Sequence, residues 1–355
     1  MIIINTPYIN LPAGVSSHYR GLKAYFSSNV VYNQCVTLEY LKSRFGIEGL
    51  LLKAARFVAF VFDIVKFVLK LAMYRNVHVL LNPSFGPNAI KREMIFANIA
   101  KCMHARYSIF IHGWTKSYYE EVVNGQKKIS NAFYDADSYF VLANQFVDRL
   151  HNLGVKGNVF VTTTKVPDSM IANFKLKKKE KVERILYLAR VEKEKGVFET
   201  IETFKLIHKK YPKIKFDVVG SGSALEDAKV AAEELGDCIT FYGALMGEDI
   251  VKAYERGDIY ILLSYHEGMP TSVLEAMAFG LPIITRPVGG VVDFFECGKM
   301  GYMEDSLEPS VFAEKCNKLI CDINSLNEIS EYNNRYASTH FLASNVAAFL
   351  ESKLR

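Results

Sequence analysis

The sequence has 355 residues, of which 50% are hydrophobic and 23% are charged, so it is long enough for two globular domains with separate cores. Its net charge of +5 is too weakly basic to indicate nucleic-acid binding, and no nucleic-acid-binding motif is present. The six cysteines are scattered without a Cys-x-x-Cys pair, which argues against a disulfide framework or a zinc site and favours reduced thiols in the cytoplasm.

The chain starts with a short apolar run, residues 1–5, that predicts a buried strand. A signal peptide is not expected, because the run lacks a charged start and a long apolar core. A loop containing Ala13 and Gly14 follows, and then a helix that carries His18, for which we favour packing over ligand contact. Strand, glycine-containing loop and helix are a common opening of nucleotide-binding folds.

Residues 47–75 predict one long amphipathic helix. We favour a helix that packs on the sheet of its domain. The alternative is a basic helix that lies on a membrane surface with its cations on anionic headgroups, and the unusually wide apolar face keeps this alternative open. Nothing in the sequence approaches the roughly 18 consecutive apolar residues that a membrane span needs. The charged residues that recur on one face of the helix are Lys53, Arg56, Asp63, Lys66 and Lys70.

Four further strands complete the first domain in our prediction, at residues 77–81, 107–111, 138–142 and 158–163. The second of these ends directly before His112, Gly113 and Trp114. A polar, lysine-rich stretch then predicts a solvated linker at residues 168–182.

The second domain opens with a strand that ends at Arg190, and Lys195 follows five positions later in a loop before a helix. This arrangement can bring two cations to one diphosphate. A later strand is followed by Gly220 and Gly222, but the third glycine of a dinucleotide fingerprint is replaced by Leu225. We therefore predict a tight turn here and reject a dehydrogenase.

Residues 259–290 are the stretch around which the rest of the chain is organised. They predict a strand, a polar loop, a helix from Thr271 that stops at Gly280, and a second strand, a unit that places a helix N-terminus at the carboxyl edge of a parallel sheet. Such an edge suits a phosphate. Glu267 and Glu275 bracket the turn, and Glu275 could accept hydrogen bonds from a pair of sugar hydroxyls or merely complement the helix dipole.

The spacing Glu-Gly-x-Pro-x-x-x-x-Glu, formed by Glu267, Gly268, Pro270 and Glu275, resembles the donor-site motif of glycosyltransferase family 4. The resemblance implies the GT-B fold, an α/β architecture of two Rossmann-like, doubly wound domains that face a cleft. Residues 1–167 would form the acceptor-side domain and residues 183–335 the donor domain. Residues 336–355 would return to the first domain as a last helix, with the crossing near residues 332–336.

The resemblance also implies roles for single residues. Glu267 would face the donor sugar and Glu275 would hold the nucleotide ribose, while Arg190 and Lys195 hold the donor phosphates. Gly14 would lie on the opposite side of the cleft, and His112 would lie beside the reacting sugar, which makes His112 and Glu267 the catalytic candidates. Two departures from the family pattern are Ala13 and Ala189, where relatives commonly have glycine. The backbone that would meet the diphosphate and sugar belongs to Gly268, Met269, Pro270, Thr271, Ser272, Val273 and Leu274.

Trp114 could stack on a sugar, although packing in the core explains it equally well. Asp135 and Asp137 form an Asp-x-Asp pattern, which is the metal-binding motif of GT-A, the other main glycosyltransferase fold. In that motif the aspartates follow a strand, whereas here they precede one. We interpret the two aspartates as structural and expect no metal ion.

The resemblance, taken with these features, implies a retaining, metal-independent glycosyltransferase that moves a hexose from a UDP- or GDP-linked sugar to a lipid-linked or saccharide acceptor in surface polysaccharide biosynthesis. No cofactor beyond this nucleotide sugar and no nucleic acid are expected. We expect the protein in the cytoplasm, with the inner face of the cytoplasmic membrane as an alternative reached through residues 47–75. The other functions that remain open are a catalytically silent subunit that binds a sugar nucleotide and a soluble enzyme that makes a small glycoside.

Overall fold

The computed structural model describes residues 1–11, 14–45 and 49–355, so Ala13 and residues 47 and 48 of the predicted long helix lie outside the described residues. The chain divides into two compact units. The first contains Met1–Lys165 and Ala343–Arg355, and the second contains Val166–Leu342. Each unit is built on one parallel six-stranded sheet flanked by helices, which confirms the predicted α/β class and the two Rossmann-like domains.

The sheet of the first unit is wound in both directions from its first strand. Its strands are β1 (Ile2–Pro7), β2 (Val30–Cys35), β3 (His78–Leu81), β4 (Arg106–Ile111), β5 (Ser138–Val141) and β6 (Asn158–Val161). They lie in the order β2-β1-β3-β4-β5-β6, and all pairings are parallel. The order reverses between β1 and β3, and the loops that leave these two strands diverge to form a crevice at the carboxyl edge.

Six helices connect these strands. They are α1 (Gly14–Leu22), α2 (Leu38–Phe45), α3 (Gly49–Met73), α4 (Pro87–Cys102), α5 (Lys116–Val123) and α6 (Asn144–Asn152). The long helix predicted at residues 47–75 is α3, with 25 residues. None of the described helices is both long enough and apolar enough to span a membrane.

Helix α3 packs against the edge strand β2, in line with the packing that we favour from the sequence, and two of its lysines contact that strand. Lys66 Nζ and Lys70 Nζ donate hydrogen bonds of 3.0 and 2.7 Å to the carbonyl oxygens of Gln34 and Tyr32 in β2. Because β2 is an edge strand, these carbonyls lack a neighbouring strand, and the lysines satisfy them. In the alternative membrane interpretation these two lysines would reach anionic headgroups, whereas in the structure they bind the carbonyl groups of β2.

The exposed side of α3 is apolar. Eight of its hydrophobic side chains are between 43% and 74% exposed: Leu51, Phe57, Val58, Val61, Phe62, Val65, Leu69 and Met73. Its only carboxylate, Asp63, is buried, where it pairs with Lys66 at 2.7 Å and accepts a hydrogen bond from the backbone N–H of Val36. The packed side of the helix thus combines these polar contacts with the buried Leu52, Phe67 and Leu71, while a broad apolar surface stays exposed.

The sheet of the second unit is also doubly wound, but its strands follow a different order. Its strands are β7 (Arg184–Leu188), β8 (Lys215–Val219), β9 (Ile239–Gly243), β10 (Ile259–Leu262), β11 (Ile283–Thr285) and β12 (Gly301–Met303). The order β12-β11-β10-β7-β8-β9 places the topological switch point between β7 and β10. Open α/β sheets bind ligands at such a point.

The second unit contains seven α-helices, and the chain returns to the first unit after the last and longest of them. The seven helices are α7 (Asp168–Ile171), α8 (Val197–Lys210), α9 (Leu225–Ala231), α10 (Glu248–Arg256), α11 (Thr271–Ala278), α12 (Pro309–Cys321) and α13 (Ile323–His340). Residues 332–336, where we placed the crossing, lie inside α13. The chain enters the first unit at Ala343 and forms α14 (Ala343–Leu354), whose Glu351 accepts hydrogen bonds from Ser27.

Candidate functional site

Two loops of the second unit meet at its topological switch point. The loop after β7 carries Arg190 and Lys195, and the loop after β10 carries Glu267. Lys195 Nζ lies 2.5 Å from Glu267 Oε1, and the two side chains are only 15% and 13% exposed. Ser264 Oγ donates a 2.9 Å hydrogen bond to the same oxygen, while Glu267 Oε2 has no partner among the described residues. One carboxylate oxygen is thus fixed, and the other is available to a ligand.

Hydrogen bonds hold the two loops in place. The backbone N–H of Tyr265 donates to the carbonyl of Glu194 at 2.9 Å, and the Tyr265 hydroxyl donates to Glu199 at 2.5 Å. The Tyr187 hydroxyl donates to the Arg190 carbonyl at 3.0 Å, and burial raises the pKa of Tyr187, so that this hydroxyl stays a neutral donor. The Arg190 side chain itself is exposed and forms no ion pair with any described residue.

Helix α11 presents its N-terminus at this edge. The helix begins at Thr271, as predicted, and no side chain caps it because the N-cap residue is Pro270. Its first N–H groups and the positive end of its dipole therefore remain available to an anion. Val273 and Leu274 bury their side chains completely, and Met269 is also buried, so this segment and Gly268 offer a ligand mainly their backbone.

Glu275 is oriented by a neighbouring tyrosine. Its Oε2 accepts a 2.9 Å hydrogen bond from the hydroxyl of Tyr254, on α10. Burial, followed by the charge of Glu275, raises the pKa of Tyr254 well above its ordinary value, so that Tyr254 stays a neutral donor. On α11, Ser272 Oγ accepts a 2.7 Å hydrogen bond from the Tyr260 hydroxyl. These contacts fix the ligand-facing side of α11.

Glycines allow the loops of the site to approach each other closely. At Gly196, which follows Lys195, φ is +67°, and a Cβ atom would lie 2.2 Å from the carbonyl oxygen of Leu263. At Gly289 φ is +55°, and a Cβ atom would lie 2.3 Å from the carbonyl oxygen of Gly268. The loop after β10 is thus clamped from both sides by backbone that only glycine can form.

The variant Gly196→Ala is expected to lower the free energy of unfolding by more than the roughly 1–3 kcal/mol that backbone strain alone costs, because it adds a clash with the Leu263 carbonyl. The matched control is Gly298→Ala, since Gly298 has a φ of +83° but no atom within 4 Å of the position that a Cβ would occupy. Urea unfolding followed by circular dichroism measures both. Equal losses for the two variants would show that the close approach of the loops contributes nothing.

In the first unit, His112 follows β4 at the carboxyl edge of the sheet. Its ring stacks on Phe110 at 3.9 Å and contacts the ring of His18 edge-on at 5.1 Å. Burial among these rings lowers the pKa of His112 to about 3, so that His112 is neutral at physiological pH. The pKa of His18, which is 3% exposed, is lowered by burial and then by the neighbouring His112.

The tautomer of His112 follows from its partner. Asn82 donates from Nδ2 to the carbonyl oxygens of Asn5 and Leu80, at 2.9 and 3.1 Å, so its Oδ1 is the acceptor. That oxygen lies 2.9 Å from His112 Nε2 and also accepts a hydrogen bond from the Tyr19 hydroxyl. His112 therefore carries its proton on Nε2. Its Nδ1, which has no partner among the described residues, is left as a hydrogen-bond acceptor.

Three other residues considered from the sequence take structural positions. Trp114 is sandwiched between Phe85 and Phe146, with ring centroids at 4.3 and 5.2 Å and interplanar angles of 6°, so neither face is open to a sugar. Asp135 and Asp137 pair with Lys101 and Arg106 at 2.7 and 2.6 Å. Both aspartates thus serve ion pairs beside β5. Within the described ranges, no group of three or more His, Cys, Asp or Glu side chains could hold a metal ion.

Gly14 is the first residue of α1, is exposed, and has open space around it. The role implied for it stays a prediction. Among the residues that orient the site and were not predicted are Ser264, Tyr254 and Asn82. Asn82 and Ser264 left a signal, because each is the first polar residue after an apolar strand.

Residues 168–336, nearly all of the second unit, match the family model described as glycosyl transferases group 1. Over 113 residues the chain is 34% identical to a D-inositol 3-phosphate glycosyltransferase of Corynebacterium jeikeium, an alignment that covers 31% of this chain and 27% of the relative. Over 162 residues it is 28% identical to the capsular polysaccharide biosynthesis glycosyltransferase CapM of Staphylococcus aureus, covering 42% and 39% of the two chains. The matched segments thus span well under half of these relatives.

The whole chain resembles solved structures more fully. A structure of Anabaena Alr3699/HepE in complex with UDP and glucose superimposes with a TM-score of 0.68 at 14% identity, covering 99% of this chain and 98% of the other. This likeness confirms the predicted GT-B fold.

Proposed function

We propose that the chain is a group 1 glycosyltransferase that moves a sugar from a nucleoside-diphosphate sugar to a saccharide or lipid-linked acceptor in polysaccharide or glycoconjugate biosynthesis. The observation that carries the proposal is the Lys195–Glu267 ion pair at the switch point of the second unit. The uncapped start of α11 lies in the same unit, directly after the Glu267 loop. A cation, a carboxylate oxygen and free N–H groups complement a sugar diphosphate, whose phosphates are anionic and whose hydroxyls donate hydrogen bonds.

In this proposal Glu275 accepts hydrogen bonds from the ribose hydroxyls of the donor, and Tyr254 holds its carboxylate in place. Glu267 uses its open Oε2 to accept a hydrogen bond from the donor sugar. The matched Anabaena structure contains UDP, which favours a UDP-linked donor here, with a GDP-linked donor as the alternative.

When the sugar leaves, negative charge builds up on the diphosphate. Lys195, Arg190 and the N–H groups at the start of α11 would stabilise this charge in place of a metal ion. We infer retention of anomeric configuration from the resemblance of the Glu267–Glu275 motif to family 4. On the acceptor side we assign His112, whose neutral Nδ1 would accept a hydrogen bond from a sugar hydroxyl.

Thermal denaturation in the presence of UDP, GDP, ADP or CMP tests the donor site. A nucleotide at a hundred times its dissociation constant stabilises the folded state by about 2.7 kcal/mol, which raises the midpoint by several degrees. We expect a shift with one nucleoside diphosphate, and we expect Glu275→Ala to abolish it, because the ribose hydroxyls lose their acceptor.

The matched control is Glu314→Ala, which removes an exposed carboxylate from α12 of the same unit. This variant should shift like the wild type. If no nucleotide raises the midpoint of the wild type, the donor-site assignment is wrong.

A further inference from the structure

The first unit has a crevice of its own at its topological switch point. A cavity of about 450 Å³ lies where the chain leaves β1 and β3, and its lining includes Pro7, Leu11, Asn82 and Ser84. Asn82 is the residue that holds His112. The cavity thus begins at the acceptor-side residues of the proposed reaction.

A second cavity, of about 650 Å³, adjoins the first. The two share Thr37, Arg56 and Arg92 in their linings. The rest of its lining includes two lysines and the apolar side chains of Val36, Phe57, Phe60 and Ile95. The two cavities therefore meet at two arginines, with Asn82 on one side and the apolar surface of α3 on the other.

Cations surround the junction of the two cavities. Lys53 and Lys91 line the second cavity beside Arg56 and Arg92. Arg92 pairs with the buried Glu93 at 2.7 Å, whereas Lys53, Arg56 and Lys91 form no ion pair with any residue in the described ranges. Three uncompensated cations next to a hydrophobic wall suit a phosphate or diphosphate that carries a hydrocarbon group.

The apolar side of α3 continues from the second cavity along the helix. Phe57 lines the cavity, and the exposed stripe runs on through Phe62 and Leu69 to Met73. The helix is about 37 Å long, from its 25 residues at 1.5 Å each. The ionised groups exposed among the described residues of α3 are cations, since Asp63 is buried. An apolar stripe flanked by cations is the pattern of a helix that lies in the interface of an anionic membrane.

We infer that the first unit binds a lipid phosphate as the acceptor, with the bilayer as the occupant of the α3 surface. The phosphate group lies between Arg56 and Arg92. The part of the head group beyond the phosphate lies in the crevice at Asn82 and Ser84. The hydrocarbon chain follows Phe57 and Phe60 into the membrane on which α3 rests. This inference rests on the proposed function, because it names the class of acceptor that the transferase uses.

A second copy of the chain fits the same surface less well than a membrane does. Two copies that met through α3 would bring Lys53 and Arg56 of each near the like charges of the other, with no exposed carboxylate on α3 to compensate them. An anionic lipid surface supplies that compensation along the whole helix.

Vesicle sedimentation with the full chain tests the inference. The vesicles are phosphatidylcholine alone, phosphatidylcholine with phosphatidylglycerol, and phosphatidylcholine with a polyprenyl phosphate. We expect binding to both anionic vesicles, with tighter binding to the polyprenyl phosphate. Removing both cations in Lys53→Ala/Arg56→Ala should weaken the partition coefficient about 25-fold, from roughly fivefold for each cation near an anionic surface.

The double variant Phe57→Ser/Phe62→Ser should abolish binding to all anionic vesicles. Val230→Ser, which alters a 72% exposed side chain of α9 in the second unit, is the matched control and should bind like the wild type. The single variant Arg56→Ala should remove the preference for polyprenyl phosphate over phosphatidylglycerol. Inorganic phosphate should not displace the protein from the vesicles, and displacement would mean that the site takes free phosphate and would overturn the inference.

Three further outcomes would overturn the inference: no binding of the wild type to either anionic vesicle, wild-type binding by the Phe57→Ser/Phe62→Ser variant, or a dimer in solution that this variant dissociates. The nucleotide-induced thermal shift, measured on the same samples, separates this inference from the proposed function. A normal shift without vesicle binding would reject only the lipid acceptor. Vesicle binding without any shift would reject only the donor site.

Discussion

Replacement of Lys195 by alanine is expected to lower kcat by about 10²–10³-fold, the cost of removing one preorganised group that stabilises developing negative charge. The Lys195 ammonium group lies at the switch point where the diphosphate of the proposed donor would bind, and it is the only cation within 4 Å of Glu267 among the described residues. Its loss therefore removes a charge from the leaving group and leaves Glu267 with Ser264 as its remaining hydrogen-bond donor. The rate is measured as release of nucleoside diphosphate from the donor that the thermal-shift screen selects, with water as the acceptor.

Lys193→Ala is the matched control, because Lys193 is an exposed lysine in the same loop. It should retain wild-type turnover, and Lys195→Arg should recover part of the lost rate since it keeps the charge but changes its shape. If Lys195→Ala turned over donor as fast as Lys193→Ala, the Lys195–Glu267 pair would be an architectural contact and not part of a donor site.

The site of the second unit could be predicted because its residues follow adjacent strands. Lys195 and Glu267 are 72 positions apart, yet both leave the carboxyl ends of neighbouring strands, and the doubly wound order brings the two loops together. The spacing from Glu267 to Glu275 is local, so the helix start at Thr271 could be read directly. Tyr254 could not be found this way, because its contact with Glu275 depends on tertiary packing.

The first unit was less predictable for two physical reasons. The first concerns strand β2, which is not among the predicted strands because it contains the polar residues Asn33 and Gln34. The buried Asn33 is satisfied there by the 2.8 Å hydrogen bond that it donates to Asn5 Oδ1. Helical periodicity showed the two sides of α3, but periodicity does not state which side is buried. In the structure the packed side contains Lys66 and Lys70, which satisfy unpaired carbonyl groups of the edge strand, together with the buried Phe67.

Acidification is expected to destabilise the first unit steeply below about pH 6.5. Burial lowers the pKa of His78 to about 4 and that of His112 to about 3, and it lowers the pKa of His18 well below its ordinary value. In the unfolded chain these histidines titrate near pH 6.5. Between these values the unfolded chain binds more protons than the folded one, so the free energy of unfolding falls as the pH falls, by up to about 1.4 kcal/mol per pH unit for each histidine.

The sequence supplies a probe for this effect, because its single tryptophan, Trp114, lies in the first unit. Urea unfolding followed by Trp114 fluorescence should lose stability between pH 6.5 and 5, above the range where ordinary carboxylates titrate. His78→Gln should reduce the slope by about a third, since one of three titrating groups is gone. Measurements at pH 8, where histidines are neutral in both states, give the baseline cost of the substitution. A midpoint that does not change between pH 6.5 and 5 would mean that these three rings are protonated in the folded unit as readily as in the unfolded chain, and that His112 cannot serve as the neutral acceptor assigned to it.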